Sequence, residues 1–308
     1  MKEKSLTSKR EPVRLFLMVL PCIIFVFIFS YLPLRGWLYA FYNYKPGLNL
    51  FDCEFVGFNN FTKMFANPIM RQKLIEVLRN TLAMAGMGIL FSPTGPIFAI
   101  FLNEMRSRRY RRVLQTFTTL PHFVSWVIMY SVVFFMLSTD AGFVNNLLMS
   151  LGLIDTPIMF LMSTDNIWLK MQIYATWKEM GWGAIIYLAA IAGIDSELYT
   201  AATVDGANNF QKIWYITIPG ILPAYFVMLI IACGNFLNIS MEQFLVFQNA
   251  MNKEYTDVLD LYVYNTGLGR GGNISYATAI GMSKSIIAVL MFAFVNRLSK
   301  TVRGYSIF

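Results

Sequence analysis

Six long apolar runs divide the chain, at 15–34, 81–102, 113–139, 171–194, 219–241 and 277–296. At 1.5 Å of rise per residue, about twenty residues cross a hydrocarbon layer of about 30 Å. The pattern predicts an all-α membrane protein with six transmembrane helices. The first run, 15–34, is free of charge. It follows a basic tail, as a signal peptide would, but it is long and no small-x-small cleavage site follows it. A retained first helix is expected. The second run contains Pro93 and Pro96 with Gly86, Gly88 and Gly95. Such a span is tolerated where neighbouring helices satisfy the freed backbone groups.

Between the runs the polar segments differ in kind. Residues 42–80 read as a mixed segment, with Trp37, Tyr39, Tyr42 and Tyr44 as an interfacial aromatic belt. Residues 103–112 carry five arginines and one glutamate. Residues 140–168 carry Asp140, Asp155 and Asp165 and no Lys or Arg. Residues 242–276 form a long aromatic and Asp-containing segment that ends in a loose glycine cluster at 267–272. With both termini inside, Lys and Arg number 14 in the inner segments and 7 in the outer ones. The positive-inside bias is obeyed in sum. The first outer segment, with five, and the stretch after the fourth run, with Lys212 alone, go against it.

That stretch, 195–223, is too polar for lipid and too regular for a slack loop. Asp195 or Ser196 is placed to cap a short helix. Asp205-Gly206 ends it, because glycine tolerates positive φ. Asn208 with Gln211 three residues on forms a capping box for a second, amphipathic helix, and Pro219 and Pro223 open the fifth run. Ala201, Ala202 and Gly206 present almost no side chain, so another backbone can approach closely. A plain amphipathic loop fits the same composition.

Ala201-Ala202, Gly206, Ile216 and Pro219 also fall on the spacing E-A-A-x3-G-x9-I-x-L-P. The chain thereby resembles the permeases of binding-protein-dependent ABC importers. Five of the seven defined positions match; Thr200 stands for the Glu and Ile218 for the Leu. Glu197, one turn earlier, offers a partial substitute for the missing acid. The variant Asp205-Gly206-Ala207, the segment Val56-Gly57-Phe58-Asn59-Asn60-Phe61 and Leu120-Pro-His-Phe-Val-Ser-Trp126 resemble the carbohydrate-uptake branch. The resemblance implies a type I importer permease bundle over 15–296, with short cytoplasmic tails at 1–14 and 297–308. It implies a segment 195–219 that couples to an ATPase, through Glu197, Thr200, Ala201, Ala202, Asp205, Gly206, Ala207, Ile216 and Pro219. The implied partners are a second permease subunit, two ATPase subunits, an extracellular substrate-binding protein, membrane lipid and a carbohydrate. The implied place is a bacterial cell membrane.

Composition agrees with a membrane chain. Of 308 residues, 56% are hydrophobic and 14% charged, against about 25% charged in a soluble domain. The net charge of +8 reads as topology rather than as nucleic-acid binding. Cys22, Cys53 and Cys233 are scattered and offer neither a disulfide framework nor metal spacing. No phosphate-loop motif occurs, so ATP and Mg are expected on a partner and no cofactor on this chain. One histidine leaves little for metal or Ser-His chemistry, so no catalytic residue is expected and the chain is not read as an enzyme. That histidine, His122, lies near the basic end of the third run and reads as interfacial, with a functional role as the alternative.

The remaining chemistry is charge within the apolar runs. Lys178 and Lys284 fall in the outer halves of their spans, and Glu242 lies just beyond the fifth. Charges there line a bundle interior or a watery cavity, or the lysines snorkel to the interface. Lys178 and Glu179 are neighbours in sequence and are expected to point apart. With Trp177, Tyr130 and Trp182 they are candidates for a sugar path, so the path candidates are Trp177, Lys178, Glu179, Glu242 and Lys284. An ATP-independent secondary transporter or channel stays open as the alternative function.

Overall fold

The computed structural model describes residues 10–269 and 272–303. The first nine residues of the expected basic tail, the last five of the C-terminal tail, and Arg270-Gly271 of the glycine cluster lie outside the described residues. The helices are α1 (Arg10–Val26), α2 (Asn59–Ala66), α3 (Pro68–Phe91), α4 (Thr94–Glu104), α5 (Arg108–Phe123), α6 (Trp126–Leu137), α7 (Phe143–Ser150) and α8 (Ile167–Ala192). They continue with α9 (Ser196–Val204), α10 (Asn209–Lys212), α11 (Ile218–Gly234), α12 (Met241–Phe247), α13 (Lys253–Thr256), α14 (Leu259–Leu268) and α15 (Ile274–Arg303).

Four stretches are long and apolar enough to cross a membrane unaided: Val13–Phe41, Pro68–Glu104, Asn209–Gly234 and Ile274–Arg297. Counting each of two bent pairs, α5 with α6 and α8 with α9, as one span brings the number up to six. Those six follow the six apolar runs of the sequence, with shifted ends.

The described residues fall into two compact units. One gathers those up to Asn67 and those from Val263 to Ser283; the other runs from Pro68 to Tyr262 and from Lys284 onward. In the first unit, α1 continues through a π-helical turn (Phe27–Tyr31) and a 3-10 stretch (Leu32–Phe41). The end of this helix is capped by the segment that follows. The N–H groups of Val56 and Gly57 donate to the Phe41 carbonyl at 2.9 and 3.1 Å. The buried Asn60 amide donates to the Ala40 carbonyl at 2.9 Å. The 56–61 segment thus supplies donors that the last carbonyls of a helix lack.

In the second unit the second span starts at Pro68, thirteen residues before the expected Thr81. Proline suits a first helical position, and Lys73, Arg79 and Asn80 of this early part are paired. Lys73 Nζ meets the Asp257 carboxylate at 2.9 Å. The Asn80 amide donates to the Glu254 and Asp257 carbonyls at 2.7 and 3.2 Å, and Arg79 lies 5.3 Å from the Tyr255 ring. Two of the five cations that break the positive-inside rule are therefore held by the long outer segment. At Ser92-Pro93 the helix bends, and Thr94 Oγ1 donates to the Phe91 carbonyl at 2.7 Å.

The fifth span differs at both ends from its expected limits of 219–241. It begins at Asn209, passes through a π-helical turn (Ile213–Thr217) and ends at Gly234. The second helix of the central stretch is thus the root of the span and not a separate amphipathic helix. Pro219 is the second residue after this π-helical turn and lies inside the continuous helix.

The third run is not one straight helix. α5 and α6 meet at 112°. Val124 and Ser125 are extended, and the Ser125 side chain caps α6 by accepting from the Ile128 N–H. His122 follows Arg108 by fourteen residues, about 21 Å of helix. From Arg112, the last arginine of the block, it is separated by ten residues, about 15 Å. Opposite it, α5 and α8 touch backbone to backbone at Gly181, where an added Cβ would sit 2.2 Å from the Thr118 carbonyl oxygen.

Candidate functional site

The coupling candidates form a compact exposed turn. Asp195 accepts from the Glu197 N–H at 2.9 Å and starts α9. At the other end Gly206 has φ +79°. Its N–H donates to the Thr203 carbonyl at 3.1 Å, and the Ala207 N–H to the Ala202 carbonyl at 2.9 Å. This pair of bonds is the Schellman closure, which glycine permits at positive φ. Asn208 and Gln211 then make the expected capping box. Glu197, Thr200, Ala201, Asp205 and Gly206 are exposed, and Ala202, Ala207 and Ile216 half-buried. The Thr200 hydroxyl turns inward onto the Ser196 carbonyl at 3.1 Å, so it offers little where the signature has a carboxylate. Val204 (84% exposed), Leu198, Phe210, Trp214 and Tyr215 add an uncovered apolar rim.

Two side-chain bonds tie α9 to the root of the fifth span. The Tyr199 and Thr217 hydroxyls meet at 2.9 Å, and Lys212 Nζ donates to Thr203 Oγ1 at 2.8 Å. Beside them a cavity of about 410 Å³ is lined by Tyr199, Lys212 and Asn209 together with Asn103 and Glu104. The exposed turn therefore lies at the same end of this unit as the connection that carries Arg106 to Arg112.

The second candidate cluster surrounds the bend of the third span. Lys178 is only 6% exposed. Its ammonium donates to the carbonyls of Pro121, His122 and Val124 at 3.0, 2.6 and 2.9 Å. The His122 and Val124 carbonyls are of the kind that a helix end leaves without backbone partners; that of Pro121 also accepts from the Val124 N–H at 3.2 Å. Carriers driven by ions hold a coupling cation at such broken-helix carbonyls; here a tethered ammonium occupies the place. Contrary to the expected divergence, Lys178 and Glu179 converge on this bend, their tips 4.0 Å apart. Glu179 meets His122 Nδ1 at 2.7 Å, and the His122 ring stacks flat on Trp182 at 4.5 Å.

The other path candidates have different neighbours. Lys284 pairs with the Asp260 carboxylate. Trp177 faces an apolar cavity with Ile173, Tyr174, Val133, Met136 and Leu137. Tyr130 packs on Phe247 in the core. Glu242 is exposed in the first turn of α12. Sequence reading missed Asp260 as the partner of Lys284, although Asp260 is the sole charge of α14 and Lys284 the sole charge of the apolar run 277–296. It also missed Ser92, Thr94, Gln172 and Thr176, which share a cavity of about 230 Å³ with Glu179.

Residues 91–304 match the model of the binding-protein-dependent transport system inner membrane component. The chain belongs to this family. This permease is 40% identical to Protein LplB of Bacillus subtilis (strain 168) over 289 residues, 93% of this chain and 88% of that one. It is 36% identical to the polygalacturonan/rhamnogalacturonan transport system permease protein YteP of the same organism, over 93% of this chain and 87% of YteP. Among solved structures it is similar to a chain of a bacterial ABC transporter involved in the import of the acidic polysaccharide alginate. That match has a TM-score of 0.83 at 34% identity and covers 96% of this chain and 97% of the other. A second structure of a bacterial alginate ABC transporter, in complex with an alginate pentasaccharide-bound periplasmic protein, matches with a TM-score of 0.84 at 33% identity over 99% and 100% of the two chains. The all-helical fold is that of a type I ABC importer permease.

Proposed function

We propose that this permease is one of two membrane subunits of an ATP-driven importer of oligosaccharides, working with two ATPase subunits and an extracellular binding protein. The observation that carries the coupling role is the exposed, doubly capped α9 turn tied to the root of the fifth span. Its small residues leave room for a groove to close over it, and its hydroxyl ties pass a displacement on to a membrane helix. The arginine-bearing connection at the same end supports a cytoplasmic position for the turn, and the positive-inside count over the sequence supports the same side for both termini. The sugar class rests on YteP and the two alginate transporters, which are named for polygalacturonan/rhamnogalacturonan and alginate.

ATP and Mg belong to the partner in this reading. Nucleotide binding closes the ATPase pair, α9 moves with it, and the two permeases pass from inward- to outward-open. The nucleotide drives this change only through its different affinity for the two states. By linkage, delivered substrate favours the ATP-bound state in return. The family assignment leaves an ATP-independent carrier without support.

Ala202→Trp places an indole on the docking face, and Gly206→Pro removes the Gly206 N–H and its positive φ. Each variant should lose ATPase co-purification and uptake, while the elution volume and helical circular dichroism of the permease stay unchanged. Normal ATPase co-purification with both would refute the docking role.

A further inference from the structure

Glu179 is the thirteenth of the 26 residues of α8, so it lies about 19 Å from either end of the helix. Its side chain is nevertheless 49% exposed. A carboxylate half-way through a span is too costly to leave against lipid. The neighbours on its face are polar or small as well. Gln172, Thr176, Glu179 and Gly183 are spaced four, three and four apart and fall within about 60° of one another around the helix. Gln172 donates to Thr176 Oγ1 at 3.2 Å. The bend of the second span adds Ser92 and Thr94, and Tyr187 closes one side. Gly88 and Gly183 keep the space open: an added Cβ on either would meet nothing within 4 Å.

From this we infer that the Gln172–Thr176–Glu179–Gly183 face is the wall of a water-filled path in the assembled importer, and that it takes the hydroxyls of uncharged sugar units rather than carboxylated ones. No Lys or Arg lines the cavity. The charged or titratable groups beside Glu179 are His122, which holds its carboxylate, and Lys178, whose ammonium is engaged by three carbonyls. Lys284, the cation midway along the apolar run 277–296, is paired with Asp260. A carboxylated sugar at this wall would therefore face Glu179 with no free cation. Sugar hydroxyls instead donate to Glu179 and exchange hydrogen bonds with Gln172, Thr176, Ser92 and Thr94. The carboxylated substrates named for the alginate and polygalacturonan relatives would need cations from another source, such as the second permease.

The inference rests on the reading of this chain as one half of a transport path, and labelling of single cysteines in the assembled importer tests it. Cys22, Cys53 and Cys233 are replaced by Ala. Gln172→Cys and Thr176→Cys probe the wall; Ile173→Cys and Ile185→Cys probe the helix off it. The reagents are a trimethylammonium and a sulfonate methanethiosulfonate, with rates normalised to a free thiol. The wall positions should react at least tenfold faster than the other two. In the Thr176→Cys background, Glu179→Gln should lower the cation-to-anion rate ratio by about tenfold. Equal rates on and off the wall, or a ratio that ignores Glu179→Gln, would overturn the inference. ATPase co-purification is measured on the same samples. Slow wall labelling with the ATPase bound therefore defeats this inference alone, and absence of the ATPase from the cysteine-free parent defeats the importer reading.

Discussion

Lys178→Met should destabilise this permease by about 3 kcal/mol or more and abolish uptake. Methionine keeps the length and packing of the stem and removes only the ammonium. The carbonyls of Pro121, His122 and Val124 then lose a shared donor at the bend of the third span. A buried acceptor left unpaired costs about 1–3 kcal/mol; the His122 and Val124 carbonyls are affected in this way, while that of Pro121 keeps the Val124 N–H. Water has poor access, because the lysine side chain is only 7% exposed. The check is the apparent melting temperature of the purified permease in detergent, which should fall by several degrees, with uptake in vesicles lost in parallel. A substitution that melts like the parent would show that the bend holds without its cation.

Gly181→Val should have an effect at least as large, for a steric reason. The added Cβ would lie 2.2 Å from the Thr118 carbonyl oxygen and 2.3 Å from its carbon. Both are backbone atoms of α5 and have no rotamer to move into, so the helices must separate along their contact. Overpacking a well-packed site costs about 1–3 kcal/mol even where side chains can yield. Separation here also disturbs the neighbouring Lys178 bonds. Gly183→Ala is the matched control: its Cβ meets nothing within 4 Å, and alanine favours the helix by about 1 kcal/mol over glycine. Yield of monodisperse permease and melting temperature should collapse for Gly181→Val and hold for Gly183→Ala. Equal behaviour of the two would refute close backbone contact at Gly181.

How much of this was legible beforehand varies with the range of the interaction responsible. The Asp195 cap, the Asn208–Gln211 box and the stop at Gly206 depend on residues within a few positions of each other, and each was readable from spacing. The limits of the second and fifth spans were not. The early part of α3 looks too polar for a span until Lys73, Arg79 and Asn80 are seen to be paired with residues 254–257, more than 170 positions away. Lys178 read as a snorkelling or path residue because nothing near it in sequence announces three converging carbonyls 54 to 57 positions earlier. Gln172 and Thr176 carried a signal that was passed over: polar residues four apart in an otherwise apolar helix.

The sequence by itself determined that this chain is helical, spans a membrane six times and carries a small-residue turn in the importer signature. Those properties follow from hydropathy, local capping and fixed spacing, which act along the chain. Only the tertiary structure decided where the third span bends, which ammonium groups are engaged and which face of α8 holds a carboxylate open to the surroundings. Each of these depends on partners brought together from distant segments, and the identity of a partner sets whether a charge stabilises a fold or stays available to a ligand.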